Sequence, residues 1–256
     1  MDNKTRRKVQ GIGAIAGVAL ALAGTAYGTS SGPPGGVPAV ARVALAPQSY
    51  PASSPCPITG NGKPGADPDL DRQKNRYTAP SATDVNPSIT TPADMIKLSQ
   101  PNELTPKELR KNWPNDLAVR QLTDLEGHAV TVVGYLVGAK EENTDGGESC
   151  NCNDPSVLFD YHLYLADQPG VYINKAVVVE MTPRWRAVNP TWGTADNNYA
   201  GFKTIKGLVN QEVRVTGWLL FDEEHLDEVG QYRATVWEIH PITTFEYQKN
   251  GGWVVL

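Results

Sequence analysis

From residue 127 to the C-terminus, hydrophobic positions recur with a period of two. HAVTVVGYLVGAK places Val130, Val132 and Leu136 on one face and predicts a strand over 129–140. YHLYLAD, 161–167, sends Tyr161, Leu163 and Leu165 one way and His162 and Tyr164 the other. KAVVVEM, 175–181, is an apolar run that reads as a strand buried on both sides. Residues 212–221 and 232–247 form a long hairpin across an acidic turn, its second strand bent at Pro241. The closing GGWVVL adds an edge strand or packs Trp253 on the body.

Between the third and fourth strands the period changes. Tyr199, Phe202, Ile205 and Leu208 recur at helical spacing, predicting a helix over 198–209, and Thr182-Pro183-Arg184 opens another. Upstream, Thr91-Pro92-Ala93-Asp94 and Thr105-Pro106-Lys107-Glu108 each set an N-cap, a first-turn proline and an acid at the third position. They predict helices over 92–99 and 106–113, with a third over 116–122. Helices this short are unstable alone and must pack on a larger body. DPDLDRQKNR, 67–76, reads as a solvated turn or short helix.

Three strands, a helix and two strands give a mostly β chain. The order predicts a five-stranded OB-like Greek-key barrel over 127–256, preceded by a short helical lead-in over 67–126 that packs on it. In such barrels strands 2 and 3, with the loops joining strands 1–2 and 4–5, form the usual ligand face. Both loops are long here, and long loops in compact domains serve function.

Residues 1–28 combine a basic start, MDNKTRRK, with the apolar run GIGAIAGVALALAGTA and small residues at Gly24, Ala26 and Gly28. This is the pattern of a secretory signal peptide, and the run falls short of the roughly 20 residues of a spanning helix. The expected destination is the periplasm or the exterior, with membrane contact only if the segment stays uncleaved. Residues 29–66 are rich in Pro, Gly, Ser and Ala and predict a linker or extended arm.

Cleavage would remove four cations and one anion, taking the net charge from −5 to −8. Nucleic-acid binding rests on phosphate neutralisation by Lys and Arg, so this balance disfavours it. An oxidising destination predicts one disulfide among Cys56, Cys150 and Cys152, with Cys56 paired to either of the others. A bridge within Cys150-Asn151-Cys152 would be a strained ring.

Candidate chemistry gathers at the loops. The 1–2 loop carries Glu141, Glu142, Asp145, Glu148 and Asp154; the 4–5 loop carries Asp222, Glu223, Glu224, His225, Asp227 and Glu228. Such acidity attracts cations or a basic partner, or simply keeps an exported protein soluble. Asp160, His162, Asp222 and His225 mix carboxylates with imidazoles in the manner of a zinc or other transition-metal site. No resident cofactor is expected apart from that divalent ion. Ligand contacts are assigned to His162, Tyr164, Glu180, Arg184, His225, Glu238 and His240. His240 could instead lock its strand end by a hydrogen bond, Glu180 and Arg184 could pair, and Arg184 could hold an anion. His128 reads as a surface residue. No P-loop, G-x-S-x-G or dinucleotide fingerprint occurs.

The segments Cys56-Pro57, DPDLDRQKNR, ESCNC, DYHLYL, VVVEMTPR, GWLLFDEEH and YRATVWEIHP resemble those of a family of uncharacterised exported bacterial proteins with an OB-like barrel. Family members carry Asn and Leu where this chain has Asp71 and Gln73. The resemblance implies a shared site within those segments and no particular activity. Three functions follow as expectations. The first is an exported binding module for a small molecule, glycan or protein, using the barrel face and the acidic loops. The others are a metal-dependent hydrolase, phosphoesterase-like, using the Asp/His set, and a structural envelope-associated protein.

Overall fold

Alternation of branched and aromatic residues produces strands at the predicted places: β1 Ala129–Glu141, β2 Tyr161–Ala166, β3 Val177–Met181, β4 Glu212–Phe221 and β5 Trp237–Lys249. A computed structural model describes residues 67–142, 159–193 and 198–256. Cys56, Cys150, Cys152, the signal segment, the arm and most of the 1–2 loop, with Asp145, Glu148 and Asp154, lie outside them.

β1 is long enough to serve two neighbours. Its first half pairs antiparallel with β4, from Ala129 opposite Trp218 to Tyr135 opposite Glu212. Its second half pairs with β2, ending with Glu141 opposite Tyr161. β2 continues antiparallel into β3, and β4 into β5. The circuit closes where β3 meets β5 in parallel, Val179 opposite Ile239. The order β3-β2-β1-β4-β5, closed on itself, is an OB-like barrel. A sixth strand, β6 Gly252–Val255, extends the free end of β5 as an edge strand. On it, Trp253 lies under the Arg214 guanidinium, 4.8 Å from ring centre to Cζ.

The barrel interior is apolar. Tyr161, Leu163 and Leu165 of β2 meet Val177, Val179 and Met181 of β3, with Leu219, Phe221, Trp237 and Ile239 from the hairpin. Alternation then puts His162 and Tyr164 of β2, Glu180 of β3, and Glu238 and His240 of β5 on the outer face. The β5 alternation survives a local irregularity. Gly217 pairs with Ile242 and Leu219 with Ile239, so β5 carries an extra residue around Pro241, which has no N–H for the ladder. Gly217 permits this close approach, because a Cβ there would sit 2.4 Å from the Pro241 carbonyl oxygen.

Helices cover the outside. α1 is Pro68–Lys74, capped by the Asp67 side chain; α2 is Pro92–Ile96, with the complete Thr91/Asp94 capping box; α3 is Leu117–Glu126, capped by Asp116. Between β3 and β4 lie α4, Pro183–Val188, capped by Thr182, and α5, Asn198–Lys206. No helix among the described residues is long and apolar enough to cross a membrane.

Three expectations need correction. The helix predicted over 106–113 is only a 3-10 turn, Arg110–Asn112. Lys107 takes a left-handed φ of 64° and donates its N–H to the Glu223 carbonyl at 3.0 Å, so the helix cannot propagate from its cap. The strand predicted from 232 begins at Trp237. Residues 232–236 turn instead, held by Ala234 N–H donating to the Ala176 carbonyl at 2.8 Å, and this carries Arg233 inward. Finally, of the two readings of 67–76, the short helix holds and the solvation does not. It folds as α1 with Leu70, Asp71 and Lys74 buried.

Candidate functional site

The outer face of β2, β3 and β5 has two halves. Tyr164, Ala166, Ala176 and Val178 form a small apolar cluster, with Val137, Val171 and Ile173 packed on it. Burial there pushes the Tyr164 hydroxyl up to about 12. Beside it lies a polar half in which Asp160, His162, Glu180, Asp222, Glu238 and His240 are all buried, none more than 4% exposed.

These groups form a continuous chain of contacts. His162 Nε2 is 3.0 Å from Glu180 Oε1, and the other oxygen of Glu180 is 3.1 Å from His240 Nδ1. The same Nδ1 is 3.1 Å from Glu238 Oε1. Arg233 donates through Nη1 to Glu238 at 3.1 Å and to Asp222 at 3.3 Å. Asp222 ends the chain against His225 Nδ1, at 2.5 Å. Taking one ion out of water costs several kcal/mol, so such a network persists only where each charge is matched by partners.

Electrostatics differs along the chain. Burial opposes ionisation of Asp222, yet His225, Lys74 and Arg233 overcome it and hold its carboxyl well below the usual range. Glu238 moves the opposite way. Burial and the neighbouring Asp222 and Glu180 carboxylates raise it well above the ordinary value, against Arg233 and Lys74. His240 is pushed down by burial, with the Glu180 and Asp160 carboxylates opposing.

The lead-in supplies the cover. Three consecutive residues at the end of α1 tie it to the 4–5 loop, α3 and α4. Lys74 Nζ lies 3.6 Å from Asp222 Oδ1 and 3.4 Å from Glu224 Oε2. Asn75 accepts from Arg184 Nε at 3.1 Å. Arg76 donates to the Glu126 carbonyl at 3.0 Å, and its own carbonyl accepts from Trp185 Nε1 at 2.8 Å. Below them, Arg110 grips Glu126 at 2.7 and 2.8 Å and Glu223 at 3.1 Å through two nitrogens.

The expected ligand residues are therefore brought together, but not as an exposed face. His162, Glu180, Glu238 and His240 are enclosed in the network, Tyr164 is in the apolar half, and Arg184 turns inward to Asn75. His225 keeps some exposure, its side chain at 18%. His240 lies inside β5 rather than at a strand end, and its Nδ1 shares a hydrogen bond with Glu238 of the same strand. The acidic 4–5 loop is not a solvated charge cloud, since Asp222 and Glu223 point inward.

The pairs expected to share one metal ion, Asp160–His162 and Asp222–His225, do not close on a single point. The described donors that do are Asp160, Glu180 and His240, whose ligand atoms lie within 4.8 Å of one another. Asp222 faces Lys74, Arg233 and His225 instead. Lys74, Asn75 and Arg233 were not singled out from the sequence. The signal for them was that they fall within DPDLDRQKNR and YRATVWEIHP, segments that carry the family resemblance.

No family model matches the chain, and no curated protein matches it either. Among solved structures, the chain is similar to yeast Stn1 and Ten1, at 13% identity and a TM-score of 0.26. That match covers 48% of this chain and 43% of the other, so the chain spans under half the length of that structure.

Proposed function

We propose that this protein is an exported binding module whose site is the polar half of the outer barrel face, between β2, β3 and β5 and beneath α1. The observation that carries the reading is the enclosure of His162, Glu180, Glu238 and His240 on a face opposite the apolar core. An apolar pair would fill the same volume at lower cost in desolvation, so structural support alone does not account for this composition. The export component rests on the signal-like segment at residues 1–28 and on the acidic balance of the remainder.

Burial limits what the site accepts without rearrangement to something small. A saccharide or a protein segment would have to displace α1, whose Lys74 and Asn75 are fully buried. The hydrolase reading needs a substrate path to Asp160 and His162, and both are enclosed. Binding is the reading the geometry favours.

A thermal-shift panel of divalent cations, sugars, organic acids and amines on the mature chain tests it. A ligand that raises Tm in the natural chain and not in His162→Ala supports the site. Ligands that act equally on both place binding elsewhere and contradict it.

A further inference from the structure

We infer that Asp160, Glu180 and His240 hold one divalent first-row transition-metal ion on the outer face of the barrel. This deepens the binding reading and rests on it. The three residues come from three separate pieces of chain: the approach to β2, the penultimate residue of β3 and the last residue before the β5 irregularity. Each offers a ligand atom within 4.8 Å of the other two. A tetrahedral ion with bonds of about 2.1 Å needs ligand atoms roughly 3.4 Å apart, which small side-chain rotations from here supply.

His240 provides the independent sign. Its ring is 1% exposed, Nδ1 faces Glu180 and Glu238, and Nε2 is buried with no hydrogen-bond partner among the described residues. Buried polar atoms are almost always satisfied, and a second ring nitrogen held by a carboxylate is how metal-ligating imidazoles are oriented. Nδ1 already stands 3.1 Å from Glu180 Oε2, close to the spacing of two ligands on one ion, and Nε2 is left unpartnered by the described residues.

Charge and donor type agree. Two carboxylates and a divalent ion sum to a neutral unit, the form of such a cluster that low dielectric surroundings penalise least. Oxygen and imidazole donors without sulfur suit zinc, manganese or ferrous iron rather than cuprous copper. His162, 3.0 Å from Glu180, would orient that carboxylate, and Glu238 would orient His240. These two are positioning residues. A site this enclosed is loaded as the chain folds.

The test uses the full chain, unfolded with chelator and refolded with zinc(II) or manganese(II), then dialysed and assayed for bound metal. The expected result is one equivalent retained in the natural chain. Asp160→Asn, Glu180→Gln and His240→Gln should each weaken retention by about 100-fold or more, while His128→Gln, at an exposed imidazole, leaves it unchanged. X-ray absorption on the zinc-loaded natural chain covers the case in which variants fail to fold. It should show oxygen and nitrogen neighbours with the scattering of a single imidazole. Failure to retain either ion, sulfur in the coordination shell, or more than one imidazole overturns the inference. If neither metal is retained but an organic ligand still raises Tm in a His162-dependent way, the metal assignment falls and the binding reading stands. If nothing binds at all, both fall.

Discussion

Lys74 Nζ lies 3.6 Å from Asp222 Oδ1, and both side chains are fully buried. This contact joins α1 of the lead-in to the end of β4 and ties the cover to the barrel. Removing one partner of a buried pair leaves an uncompensated charge. Lys74→Met should therefore destabilise the fold by about 3 kcal/mol in urea unfolding, at the low end because Asp222 keeps Arg233 and His225. The double variant with Asp222→Asn should lose less than the sum of the single losses. Strict additivity would show that the two residues do not interact.

A second consequence concerns pH. Burial pushes the Glu223 carboxyl up to about 8, with Arg110 pulling it down and Asp222 adding to the rise. An acid with a higher pKa folded than unfolded binds more protons in the folded state between the two values. Stability should thus fall as pH rises from the ordinary carboxylate range towards 8, by at most about 1.4 kcal/mol per pH unit, and level off above it. Glu223→Gln mimics the protonated form and should flatten this slope, reducing the loss of Tm between pH 6 and pH 9 by about 5 °C. Equal slopes in the two proteins would refute the assignment.

Gly217 faces the irregular part of β5. A methyl group there would meet the Pro241 carbonyl oxygen at 2.4 Å and Ile239 Cγ2 at 2.5 Å. Gly217→Ala should cost about 2 kcal/mol or more, because backbone must move to admit it. A change under about 0.5 kcal/mol would mean that β5 yields there freely.

Much of this was legible in the sequence. Alternation in YHLYLAD separated Tyr161, Leu163 and Leu165 from His162 and Tyr164, and the structure keeps that division. KAVVVEM reads as buried on both sides, and every residue of β3 is buried. Helix caps placed α2 and α4. What failed depends on contacts distant in sequence. Lys107 leaves the helical region where its N–H reaches Glu223, and no local pattern announces a partner that far along the chain. For the same reason the polar string at 67–76 looked solvated, although Lys74 and Asn75 close the site from above. Of the three donors proposed for a metal, Asp160 was named as a metal ligand, while Glu180 and His240 were named only as ligand contacts. A parallel contact between β3 and β5 unites them, and strand patterns do not encode which strands meet.

The proposed disulfide from Cys56 to Cys150 or Cys152 has its own check. The exported chain, unfolded without reductant, should titrate one free thiol. Three would leave the arm unpinned.

The most direct measurement is an anomalous difference map at the zinc edge from crystals of the full chain refolded with zinc(II). The account predicts one strong peak bounded by Asp160, Glu180 and His240. A peak confined to the acidic turn at 222–228, or no peak at all, would contradict it.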